Sequence, residues 1–164
     1  MGDLAKRVID QLRRARIADD LDSCVWIASD LLEKFRSSGH SSGFAEIDQE
    51  EIASEEKMEI QKALIEALGR NSDPKFVSQI IDALGSARDP ALKQLYVDYL
   101  AQHLKQLKWS NGVVYAALSA LHELDESVYE KNPDGSTSQS VMDVDKNIRQ
   151  AHDYLEKLGV IIPW

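Results

Sequence analysis

The sequence predicts an all-α fold of about seven antiparallel helices. The first observation behind this is a short internal repeat. Ala63-Leu64-Ile65-Glu66-Ala67-Leu68-Gly69 runs into Arg70-Asn71-Ser72-Asp73-Pro74, and sixteen residues later Gln79-Ile80-Ile81-Asp82-Ala83-Leu84-Gly85 runs into Ser86-Ala87-Arg88-Asp89-Pro90. Each copy reads as the end of one helix and the start of the next. Gly69 and Gly85 suit a C′ position with φ > 0. Asp73 and Asp89 suit N-caps that accept from the following N–H groups. Pro74 and Pro90 suit N1, where a missing N–H is harmless. The second observation is apolar spacing at the 3.6-residue helical period in the other long segments. The third is that one helix stops and the next starts within five residues, which leaves room only for tight connections.

The first helix, 3–16, puts Leu4, Ala5, Val8, Leu12 and Ala15 on one face. Arg13, Arg14 and Arg16 crowd its last turn, where cations offset the negative end of the macrodipole; the same cluster has the charge to meet a phosphate. The second helix, 20–36, carries Leu21, Cys24, Val25, Ala28, Leu31, Leu32 and Phe35 on its stripe. Cys24 therefore reads as a small core residue rather than a nucleophile. Trp26, off the stripe, either packs on a neighbouring helix or marks an exposed binding face. Residues 37–43 form a Ser/Gly loop; with no Lys-Ser/Thr after it and no strand before it, it is a connection and not a phosphate cradle.

The third helix, 48–68, opens on an approximate capping box, Asp48 and Glu51. Ile52, Ile60, Ala63, Leu64, Ala67 and Leu68 face inward, while Glu51, Glu55, Glu59 and Glu66 share the opposite side. A short fourth helix, 73–84, carries Phe76, Val77, Ile80, Ile81 and Leu84. The fifth, 89–108, is expected to be the longest, on the order of 30 Å. Leu92, Leu95, Tyr96, Tyr99, Leu100, His103, Leu104 and Leu107 form one stripe, and Val97 with Ala101 a second. Apolar on two sides, it is expected at the centre, with His103 as a hydrogen-bonded core histidine. Trp109 and Ser110-Asn111-Gly112 mark a break before the sixth helix, 113–125, lined by Val114, Ala117, Leu118 and Leu121. Residues 130–140 have the composition of a segment disordered in isolation. The last helix, 141–158, places Val141, Val144, Ile148, Ala151, Leu155 and Leu158 on a heptad-like seam and ends at Gly159. The apolar tail 160–164 either folds back over this helix or anchors a partner through Trp164.

At 164 residues, with 43% apolar and 29% charged content, the chain is expected to be one domain with a real core. Its formal net charge of −9 disfavours phosphate backbones and anionic lipid surfaces and suits a basic partner. Residues 37–70 hold eight acids against three bases and residues 109–164 nine against four, −5 each, while 71–108 carries +1. Cys24 is the sole cysteine, which excludes an intrachain disulfide or cysteine zinc cluster. With no signal-like N-terminus and no run of ~20 apolar residues, the chain reads as cytoplasmic. The histidines are scattered: His122-Glu123 lacks the second histidine of a zinc helix, and Asp143 with Asp145 does not continue into a calcium loop. No catalytic, metal or cofactor motif is present, and none of the three is expected.

The Leu-Gly-x-x-x-Asp-Pro punctuation, with Ala and Leu inside each helix, resembles HEAT-type and related armadillo-like repeat proteins over roughly residues 50–124. The resemblance implies a HEAT-like right-handed α-solenoid or helical-bundle arrangement and the habit of binding macromolecules along a helical face. It implies no catalytic residues. By size, acidity and helix content the chain is also similar to bacterial immunity proteins, which block a cognate, often basic, nuclease-type toxin. The expected function is thus a non-enzymatic protein-binding module. Its candidate contact residues are Glu51, Glu55, Glu59, Glu66, Glu123, Glu126, Glu130 and Trp164. Alternatives are a scaffold subunit of a larger assembly and an all-α enzyme; the acidic balance argues against a HEAT-like DNA glycosylase.

Overall fold

A computed structural model describes residues 3–14, 18–36, 54–70, 72–106, 110–124 and 126–160, with the side chains of 24–33 in the second helix. Among them are seven α-helices, one turn of 3-10 helix and no strand. The contacts cluster in two units, Met1–Arg88 and Asp89–Trp164.

In the first unit α1 (Asp3–Arg14) buries Leu4, Ala5, Val8, Ile9 and Leu12 against α2 (Ala18–Arg36) and α3 (Ser54–Arg70). α2 buries Cys24, Val25, Ala28, Leu31 and Leu32, so the cysteine sits in the core as its spacing implied. Trp26, off that stripe, is 46% exposed. α3 packs Ile60, Ala63, Leu64, Ala67 and Leu68 inward, and α4 (Pro74–Gly85) lies on α2 and α3 with Phe76, Val77, Ile80, Ile81 and Leu84. Full burial of such a side chain contributes about 1.5–3 kcal/mol, so these stripes are the main cohesive term. Asp48, Glu51, Ile52 and the 37–43 loop lie outside the described residues.

Both Asp-Pro junctions cap as expected. Asp73 Oδ1 accepts from Lys75 N–H and Asp89 Oδ1 from Ala91 N–H, each at 3.0 Å, with proline next in line. The glycines before them do not behave as expected. Gly69 and Gly85 are the penultimate and last residues of their helices and neither has positive φ. At the second junction Ser86 stays right-handed, held by Ala83 O at 3.2 Å, and the chain turns left-handed only at Arg88, φ 47°. Gly85 is buried instead, and Ser86 Oγ meets Ser29 Oγ of α2 at 2.8 Å, so packing carries the right-handed backbone one residue past the glycine that ends α4.

The second unit corrects the longest helix. Residues 89–108 are not one rod. Asp89 draws in the N–H of Ala91 while its carbonyl takes that of Leu92 at 3.1 Å, which tightens Pro90–Leu92 into a 3-10 turn. α5 then runs Lys93–Leu104, and α2, at 19 residues, is longer. α5 does bury both stripes, with Tyr96, Leu100, His103 and Leu104 on one and Val97 and Ala101 on the other. α6 (Asn111–Glu123) packs Val113, Val114, Ala116, Ala117, Leu118, Ala120 and Leu121 between α5 and α7 (Val144–Lys157). α7 ends in a Schellman motif: Gly159, φ 76°, donates to Glu156 O and Val160 N–H to Leu155 O, both at 2.9 Å. No helix of the described residues is long and apolar enough to cross a membrane.

Candidate functional site

The site is built at the head of α7, where the expected seam is rotated. Asn147, Gln150, Ala151, Tyr154 and Leu155 are buried, so two amides sit where an all-apolar stripe was expected. Val141 and Val144 turn outward instead, 45% and 38% exposed, and Leu158 is exposed at the far end.

The buried amides are spent on the segment before the helix. Gln150 accepts the backbone N–H of Glu130 at 2.7 Å and donates to Gln139 at 3.1 Å. Asn147 donates to Ser140 O at 3.0 Å and to Asn111 Oδ1 at 3.2 Å, and Asn111 in turn donates to Val141 O. Lys146 Nζ reaches Ser138 O at 2.8 Å, and Arg149 grips both carboxylate oxygens of Glu130, at 2.6 and 3.0 Å. Farther back Tyr129 meets Ser119 Oγ at 3.0 Å and stacks tilted on His122, while Val128 is buried. Residues 126–143 therefore form a strap tied along α6 and α7. Composition suggests disorder here because polar residues have little apolar surface to bury; hydrogen bonds supply the order instead. At the tip, Asn132–Ser136 closes a tight turn around Gly135, φ 85°, and the Ser136 hydroxyl and N–H hold the Asp134 carboxyl below its usual range.

Where the strap enters α7 the apolar residues face solvent. Met142 is 84% exposed beside Val141 and Val144, with exposed Asp143 and Asp145 interleaved. The backbone under them is fixed: Met142 N–H donates to Ser140 Oγ at 3.1 Å, Asp143 N–H to Ser140 O at 3.2 Å, and Asp143 Oδ1 caps Lys146 N–H. This gives a preorganised apolar edge with an acidic margin.

The predicted acidic contacts fall differently. Glu59 and Glu66 both receive Arg13 of α1, at 3.0 and 3.1 Å, so they tie α3 to α1. Arg13 is thus a cross-helix clamp as well as a helix-end cation. Arg14 only approaches Asp10 at 3.7 Å. Glu126 pairs with Lys93 at 2.6 Å, and Glu130 with Arg149, which holds the Glu130 carboxyl below its usual range. Glu55 is exposed on α3 beside Met58, and Glu123 is half-buried at the end of α6. Glu51 and Trp164 lie outside the described residues, as do Arg16, Trp109 and residues 161–163. The edge at 141–145 was missed because Val141 and Val144 fit a core seam. The available signal was the competing stripe of Asn147, Gln150, Ala151, Tyr154 and Leu155. Among the described residues no group of His, Cys, Asp or Glu side chains is placed to hold a metal ion.

Comparison with protein families, with curated proteins and with solved structures returns no match for this chain.

Proposed function

We propose that the chain is a non-enzymatic protein-binding module for a partner with a basic surface, engaged through the 141–145 edge. One observation carries the reading. Val141, Met142 and Val144 are exposed on a backbone pinned by Ser140, Asn111 and Asn147. Apolar side chains held out to water on an ordered backbone add affinity on docking with little ordering cost. Asp143 and Asp145 at their margin, and the −5 carried by residues 109–164, select Lys and Arg opposite. A basic nuclease-type toxin fits this chemistry, since carboxylates can occupy a cleft built for phosphates. The Asp-Pro punctuation supports a helical-repeat framework for the reading.

The test compares immobilised wild type with a Met142→Asp/Val144→Asp variant, whose substitutions fall on exposed positions. The expected result is a basic protein retained from the native host by wild type, eluted by salt, and held at least about tenfold less by the variant, a loss of about 1.4 kcal/mol. Equal retention by the two proteins overturns the reading.

A further inference from the structure

We propose that His103 is a proton-sensitive latch on the head of α6 and that, through Asn111, it governs how the 141–144 edge is presented. The second half rests on the reading of that edge as a binding surface. His103 is 9% exposed near the end of α5, and its Nε2 accepts the backbone N–H of Ser110 at 2.6 Å. A ring nitrogen that accepts carries no proton, so the neutral imidazole holds its proton on Nδ1. Ser110 is the N-cap of α6, and its own side chain makes no capping bond. Its carbonyl accepts from Val114 at 3.2 Å, so the latch fixes the residue on which the helix starts. The next residue, Asn111, donates to Val141 O and accepts from Asn147 at 3.2 Å. Two consecutive residues thus run from the ring to the exposed edge.

A proton on Nε2 turns the acceptor into a donor facing another N–H, and places a charge in a buried site. Both effects separate the ring from Ser110. Among the described residues, burial is the cause that holds the ring's pKa below its usual value. On α5 itself Tyr99 lies one turn before the ring, and Lys105 is exposed just after it. α6 brings Tyr115 to this end, with His122 and Glu123 at the other. The 3-10 turn carries no ionisable side chain. From α7, Tyr154 acts with Glu126 on Lys93, ten residues and about 15 Å back along α5. Arg149 is held by Glu130, His152 is itself half-buried, and Asp145, Asp153, Glu156 and Lys157 are exposed. Lys146 is spent on Ser138 O.

The experiment follows backbone amide exchange by NMR in the full chain from about pH 7.5 to about pH 5, expressed as protection factors so that intrinsic pH dependence cancels. Ser110 is expected to lose protection roughly tenfold as the His103 ring titrates, with a midpoint below the ordinary 6.5. Met142 and Asp143 are expected to follow with the same midpoint. His103→Gln keeps an acceptor oxygen that does not titrate, so these amides should lose their pH response. Wild-type Ser110 protection that stays constant through the titration overturns the latch. An unchanged response at Met142 and Asp143 in His103→Gln overturns the coupling. Wild-type ring nitrogen shifts check the geometry without any variant: Nε2 unprotonated near neutral pH supports it, and a proton there overturns it. None of these readouts needs a partner. A failed latch therefore leaves the Met142→Asp/Val144→Asp binding test standing, and a sound latch beside a non-binding edge overturns only the functional reading.

Discussion

Asp73 and Asp89 make the same bond at two junctions, yet they start different helices. Each accepts from the N–H two residues on at 3.0 Å. Replacing either by alanine removes a cap and should cost about 1 kcal/mol, read as a lowered urea midpoint. Unchanged midpoints in both would mean that the bonds contribute nothing. Arg88, with φ 47°, occupies backbone that glycine adopts freely and arginine does not. Arg88→Gly should raise stability by at most about 1 kcal/mol, the relieved strain offset in part by the greater entropy of glycine in the unfolded chain and by the side chain's lost interactions. His103 adds a pH term whose sign follows from burial. Its folded pKa lies below the unfolded value, so the unfolded chain binds the proton first as pH falls. The stabilisation is complete above the unfolded value and is lost as pH falls through the folded one. Unfolding free energies of wild type minus His103→Gln should therefore be flat above about pH 7 and decline below about 6.5. A difference independent of pH would place the ring in solvent.

Helices that hold to others through apolar stripes were legible in the sequence; helices whose charges and amides do structural work were not. The stripes of α1, α2 and α4, the Asp-Pro caps, buried Cys24 and the Gly159 stop followed from spacing and local chemistry alone. On α3 the carboxylates looked like one solvated face, because sequence spacing does not reveal that Arg13 of another helix divides Glu59 and Glu66 from Glu55. The two carboxylates should therefore differ in what a reversal costs, because Glu59→Lys sets two cations against each other. It should cost about 1 kcal/mol, against no more than about 0.5 for Glu55→Lys. Equal midpoints would show that the clamp is not held in solution. On α7 the same blindness rotated the buried face. Val141 and Val144 satisfy a seam by hydropathy, but the bonds that bury Asn147 and Gln150 reach partners 7 to 36 residues away. Gln150→Ala leaves the Glu130 N–H without its acceptor. It should cost about 1–3 kcal/mol and raise exchange at that amide. Unchanged exchange there would mean that the other ties, with Arg149 on Glu130 nearest, hold the strap without Gln150.

Across the chain, charge and apolar exposure are distributed so that they should act on different rates. The net −9 arises from two segments of −5, 37–70 and 109–164, against +1 in 71–108 and zero in 1–36. Such a field acts at a distance: it steers a basic partner into encounter and fades with salt over about 8–10 Å. Within it, Glu59, Glu66, Glu126 and Glu130 are already matched by Arg13, Lys93 and Arg149, so they add less to the field than their number suggests. Glu55, Asp143 and Asp145 are exposed and lie outside those pairs. The apolar edge acts only after contact, by excluding water under Val141, Met142 and Val144. The two contributions should separate in kinetics with the captured basic partner. Asp145→Lys should slow association several-fold at low salt, converge on wild type at high salt, and leave dissociation within about twofold. Asp143 is excluded from that variant because its side chain caps Lys146. Met142→Ser should do the reverse: association unchanged, dissociation faster by roughly tenfold, as expected when a central apolar anchor is lost. If Met142→Ser changes association and the charge reversal changes dissociation, the edge is not the seat of docking. The partner then touches the protein chiefly through its carboxylates.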